Sequence, residues 1–104
     1  MPAAKPLAIP VPHDAIAEFC RRWQVRKLSF FGSVVRNDFG PTSDIDVLVE
    51  FKPDARIGWN IVTAERELSD ILGRRVDLRT PAELSRWMIK DVTTEAVVEY
   101  VETH

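Results

Sequence analysis

Apolar residues recur along this chain with two different periods. Between His13 and Gln24 they fall at Ile16, Phe19, Cys20 and Trp23, three and four apart, which predicts an amphipathic helix. Val25 to Phe31 and Ile45 to Phe51 are instead short apolar runs, rich in β-branched and aromatic residues and flanked by turn formers. Both read as buried strands. Trp59 to Leu72 returns to helical spacing, with Ile61, Val62, Leu68, Ile71 and Leu72 expected on its buried side and Gly73 as its stop.

Weaker signals fill the gaps. Ser33 to Asp38 predicts a short helix, and Asn37 to Ser43, with Gly40-Pro41, a loop. Lys52 to Gly58 is a turn-rich link. Arg75 to Arg79 is a third strand. Thr80-Pro81-Ala82-Glu83 combines a cap, a proline at the first helical position and a capping-box acid, so a helix is expected from there to about Lys90. Ala96 to Val101 fits a strand better than a helical continuation. Met1 to Pro12 holds four of the seven prolines and little charge, and reads as a flexible arm, leaving residues 13–104 as a single domain. Strands alternating with helices predict an α/β fold with a mixed sheet.

Two carboxylates interrupt the apolar pattern where a buried strand begins. Side chains alternate on a strand, so Asp44 and Asp46 share one face while Ile45, Val47 and Val49 pack on the other. Their Cα atoms would lie about 6.6 Å apart, close enough to reach one Mg²⁺ or a pair of ions. Unpaired charge inside an apolar strand is costly and marks a metal or catalytic role. Ten residues separate these acids from Gly32-Ser33, at the end of the first strand. A strand turning sharply into a helix points backbone N–H groups outward, which favours phosphate. A phosphate grip beside a metal grip is what transfer from a nucleoside triphosphate requires.

Gly32-Ser33, ten residues and Asp44-x-Asp46 together resemble the signature of the nucleotidyltransferase superfamily that includes DNA polymerase β. The small size, Arg36, and Ser43-Asp44-Ile45-Asp46-Val47-Leu48-Val49 resemble its minimal nucleotidyltransferase (MNT) group, over about Val25 to Tyr100. Many relatives carry Gly where this chain has Asn37, and Asn tolerates the same left-handed backbone. The resemblance implies a small nucleotidyltransferase fold. It also implies a third acid, which Asp77 in Arg75-Val76-Asp77-Leu78-Arg79 would supply from a strand beside the second. It further implies Mg²⁺ held by Asp44, Asp46 and Asp77, with ATP as co-substrate and Gly32, Ser33 and Arg36 at its phosphates. Small members of that group are commonly antitoxins paired with HEPN-type ribonuclease toxins, and some add AMP to a toxin tyrosine. That is the function expected here. The alternatives are an antitoxin acting by contact alone, and a transferase acting on a small molecule or a tRNA end. A chain this short has no room for the helical domain that forms the acceptor wall in larger relatives, so a partner is expected to complete the cleft.

Composition narrows the setting. The chain has 104 residues, 45% hydrophobic and 29% charged, with a formal charge of −2. That balance argues against a large nucleic-acid surface. With no apolar run near the roughly 20 residues of a membrane span and no signal peptide, a cytoplasmic location is expected. Cys20 is alone, on an apolar helix face, and reads as packing rather than chemistry. Several acids have plain readings. Asp77 could pair with Arg75 or Arg79, Ser33 could cap its helix, Asp38 and Glu50 face solvent, and Asp14 suits a helix start. Trp23 and Trp87 read as core. Trp59, at a loop-to-helix junction, is open to stacking on a base or meeting a partner. His13 and His104 are unconstrained, and the basic pairs, Arg74-Arg75 among them, read as a solvated rim.

Overall fold

The computed structural model describes residues 9–35, 40–84, 90, 92 and 95–102. Helix α1 (His13–Arg22) is followed by strands β1 (Val25–Phe31) and β2 (Ile45–Phe51), helix α2 (Ile61–Leu72), and strands β3 (Val76–Arg79) and β4 (Val97–Val101). The sheet order is β3-β2-β1-β4, with β2 and β3 parallel and the other two pairings antiparallel. The mixed sheet expected from the sequence is therefore present, and the C-terminal segment is a strand.

One face of the sheet carries the core. Leu28 and Phe30 of β1, Ile45, Val47 and Val49 of β2, and Val76 and Leu78 of β3 are buried against Ile16, Phe19 and Cys20 of α1 and Ala64 and Leu68 of α2. Ile9 and Val11 add to this cluster from before α1; residues 1–8 of the expected arm lie outside the described residues. Cys20 is fully buried, and loss of solvation pushes its thiol pKa up to about 12, which makes it a packing residue. Trp23 is half-buried against the core, and its indole N–H donates to Glu67 Oε1 at 3.3 Å. Trp87 and His104 lie outside the described residues.

Helix α2 is rotated relative to the expectation. Ile61, Ala64, Leu68 and Ile71 form the inward stripe, while Val62, about 100° away on the helical wheel, is 57% exposed. Gly73, at φ +71, ends the helix in the left-handed conformation that glycine adopts without steric cost. The helix expected after Thr80 is corrected. The capping box forms, with the Thr80 N–H donating to Glu83 Oε1 at 2.8 Å, but it closes only one 3₁₀ turn, Pro81–Glu83. Leu84 is extended, at φ −95 and ψ 143. Capping chemistry starts a turn but does not set its length. Residues 85–89 lie outside the described residues, and Lys90, Val92 and Glu95 are helical.

Between α1 and β1 the chain reverses at Gln24, a non-glycine residue at φ +58 whose carbonyl accepts the Lys52 N–H at 2.9 Å. A side chain in the left-handed region costs about 1–2 kcal/mol. Gln24→Gly should therefore stabilise the protein by about 1 kcal/mol, read as a higher urea midpoint at unchanged slope. A lower midpoint would show that the Gln24 side chain contributes more than its strain costs.

Candidate active site

The strand ladder decides which carboxylates meet. Asp46 is the second residue of β2, and on the face opposite the core it stands level with Asp77 of β3 and Phe31 of β1. Neighbouring strands lie about 4.8 Å apart, so two half-buried carboxylates share one rung. Asp44, one residue before β2, is exposed at the foot of the same strand. The structure thus sets Asp46 level with Asp77, with Asp44 two residues before Asp46 along the chain.

Gly32 follows Phe31 directly and packs against Asp46. At φ +75 it starts the 3₁₀ turn Gly32–Val35, and a Cβ added there would sit 2.2 Å from Asp46 Oδ2. A side chain there would have to displace the Asp46 carboxylate. Val34 and Val35 are buried and anchor the turn from below, leaving Ser33 half-buried between them and Gly32. Arg36, Asn37 and Asp38 lie outside the described residues.

Asp77 is held from two sides. Its neighbours' outward N–H groups, which would leave β3 an open edge, are capped by α2: Val76 N donates to Ser69 Oγ at 3.0 Å and Leu78 N to Glu65 Oε2 at 2.9 Å. On the opposite face, Arg79 grips the Asp77 carboxylate two-pronged, Nε to Oδ1 at 3.0 Å and Nη2 to Oδ2 at 3.1 Å. Arg75 is equally two residues from Asp77 but lies before β3, so the strand alternation that puts Arg79 on the Asp77 face does not extend to it. The bond from Asp77 raises the Arg79 pKa further, with smaller contributions from Glu83 and Asp46. Because the pair is well exposed, solvent screens most of its energy, and a stronger ligand can displace it.

The donor set suits a hard divalent cation. It is all carboxylate, on a rigid sheet, with a cradle that a side chain at Gly32 would fill. Among the described residues no three acidic, Cys or His groups converge as they stand, and Arg79 occupies both Asp77 oxygens. Two surface cavities of about 380 and 330 Å³ are lined by other residues.

Residues 14–100 match the family described as the nucleotidyltransferase domain. The chain belongs to that family. Protein adenylyltransferase MntA of Thermococcus cleftensis is 35% identical over 80 residues, covering 77% of this chain and 80% of that one. A solved structure of a candidate minimal nucleotidyltransferase superposes with a TM-score of 0.70 at 28% identity, covering 82% and 86% of the two chains. A complex of tri-AMPylated Shewanella oneidensis HEPN toxin with MNT antitoxin contains the same fold, at TM-score 0.61 and 20% identity, over 86% of this chain and 70% of that one. The four-stranded sheet and its two helices are thus a minimal nucleotidyltransferase fold, as the sequence motif implied.

Other residues of this nucleotidyltransferase domain read differently in three dimensions. Glu50 is not free in solvent: it meets Arg26 across the strands at 2.9 Å. His13 contacts Glu99. Trp59 is 92% exposed and joins no core. Arg74 does not belong to a rim, because its guanidinium is half-buried on backbone carbonyls of the loop before β2. Glu65, Ser69 and Arg74 escape a reading of the sequence as organisers of the site. Their partners are backbone atoms, which leave no side-chain pattern to read.

Gly32→Ala tests the cradle. The left-handed backbone alone should cost about 1–2 kcal/mol, and the methyl group must also displace the Asp46 carboxylate. The expected result is a lower urea midpoint together with loss of stabilisation by ATP and Mg²⁺. Full ATP·Mg²⁺ stabilisation in a folded variant would show that the Asp46 position against Gly32 does not matter.

Proposed function

We propose that this nucleotidyltransferase is a Mg²⁺-dependent protein adenylyltransferase and an antitoxin. It transfers AMP from ATP to a tyrosine of a cognate HEPN-type ribonuclease toxin in the cytoplasm and so neutralises it. The observation that carries the reading is the rung on which Asp46 and Asp77 stand level, beside a glycine where any side chain would displace the Asp46 carboxylate. The adenylyltransferase activity named for MntA and the AMPylated toxin in the fold neighbour support it.

In this reading Asp44 and Asp46 hold the metal, and Gly32 and Ser33 bind the β- and γ-phosphates, with Arg36 in reach of the same groups. A bound Mg²⁺ supplies charge neutralisation along the triphosphate. Asp77, once released from Arg79, accepts the proton of the acceptor hydroxyl as its oxygen bonds to the α-phosphorus. The bond from that phosphorus to the bridging oxygen breaks, and pyrophosphate leaves. Arg79 then has a free positive charge on the face where phosphate charge gathers.

One observation favours a second reading. The Arg79 grip on Asp77 would also suit a silent site, in a protein that inhibits its toxin by contact alone. Co-expression with a HEPN-type toxin, followed by mass spectrometry of the toxin, separates the two. Wild type should leave AMP on a toxin tyrosine; Asp44→Asn with Asp46→Asn should leave none yet still bind the toxin. ATP·Mg²⁺ at about a hundred times its Kd should stabilise wild type by about 2.7 kcal/mol, and the double variant not at all. Asp77→Asn should keep that stabilisation and lose transfer, since it acts on the acceptor. A double variant that protects RNA as well as wild type at every dose would establish inhibition by contact.

A further inference from the structure

The two residues between the α2 stop and β3 bracket Asp44 on both sides. Arg74 Nη2 donates to the carbonyls of Ser43 at 2.7 Å, Gly40 at 3.0 Å and Pro41 at 3.1 Å. Next to it, the Arg75 carbonyl accepts the Ile45 N–H at 2.9 Å. Ser43 and Ile45 are the residues on either side of Asp44. The loop is also closed on itself, with Ser43 N donating to Gly40 O at 3.1 Å and Gly40 N to Ser43 Oγ at 3.0 Å. Three carbonyl dipoles aimed at one point repel one another unless a cation sits there, and a guanidinium supplies both the charge and fixed donors. Asp44 itself stays exposed, while the backbone on either side of it is held.

We propose that Arg74 is a positioning residue for Asp44. By gathering the Gly40, Pro41 and Ser43 carbonyls it sets where the chain enters β2, and so where the Asp44 carboxylate stands relative to Asp46 and Asp77. The segment that does this runs directly into β3, so the loop bearing Asp44 and the strand bearing Asp77 are set by one short piece of chain. A ligand held by such a contact loses preorganisation when the contact goes, even though every carboxylate remains. The inference rests on the reading of Asp44 as a metal ligand.

The test measures Mn²⁺ affinity by electron paramagnetic resonance in the presence of a non-hydrolysable ATP analogue. It compares wild type, R74M, R74K, D44N and the double variant R74M/D44N. R74M should weaken Mn²⁺ binding about tenfold, the lower range for losing a group that orients a metal ligand. R74K, which keeps the charge but not the fork, should fall between R74M and wild type. In the D44N background R74M should add nothing further, because its effect passes through Asp44. Wild-type affinity in R74M, or a further loss on adding R74M to D44N, overturns the proposal. Should R74M not fold, R74K and R74K/D44N make the same comparison. If D44N itself binds Mn²⁺ like wild type, the metal role of Asp44 fails instead, which separates that outcome from a failure of Arg74.

Discussion

The site is organised by a close approach between the end of β1 and the start of β2. Antiparallel pairing sets Phe31 opposite Asp46, and the chain then turns through Gly32 at φ +75 directly against the Asp46 carboxylate. A β-carbon at that position would overlap Oδ2. The missing side chain therefore permits three things at once: the sharp exit from β1, the rotamer space of Asp46, and a backbone surface beside the carboxylate. On the proposed reading that surface meets phosphate, and the chemistry follows from a steric vacancy as much as from charge.

A second constraint acts from the other edge of the sheet. β3 is only four residues long and has no neighbouring strand on its outer side among the described residues. Glu65 and Ser69 of α2 accept its outward N–H groups, so the helix that covers the core also holds the strand carrying Asp77. Just before β3, Arg74 and Arg75 fix the backbone on both sides of Asp44. Asp46 and Asp77 come from neighbouring strands and Asp44 from the residue just before one of them, so few backbone degrees of freedom separate the three. The exception is the Asp77 side chain, which Arg79 holds by an exposed and displaceable pair. That pair offsets the Asp77 charge next to Asp46, which stands level with it on the neighbouring strand.

Much of this is legible in the sequence because the strands are buried and short. The bounds of β1 and β2 follow directly from the runs Val25–Phe31 and Ile45–Phe51, and Asp46 stands out as a charge in an apolar strand. Adjacency of β2 and β3 is not readable from residue spacing, and enters through the family motif. Val62 is misplaced by the sequence pattern because two apolar residues stand side by side at Ile61 and Val62. Hydrophobicity alone does not say which of them the sheet covers; Ala64, small and unobtrusive, takes a buried position instead. The capping box at Thr80 marks a turn correctly but does not mark the start of a long helix, since caps act on the first turn alone. Arg74 is hidden for a different reason. Its acceptors are backbone carbonyls more than thirty residues away, and any sequence can offer those.

The central claim is that metal and nucleotide meet on the Asp46–Asp77 rung beside Gly32. The most direct measurement is paramagnetic line broadening in the amide NMR spectrum as Mn²⁺ is added with a non-hydrolysable ATP analogue. The account predicts that the Gly32, Ser33, Asp44, Asp46 and Asp77 signals broaden first, while those of α1 persist. Early broadening centred on another acidic surface, with the Asp46 and Asp77 signals intact, would contradict it.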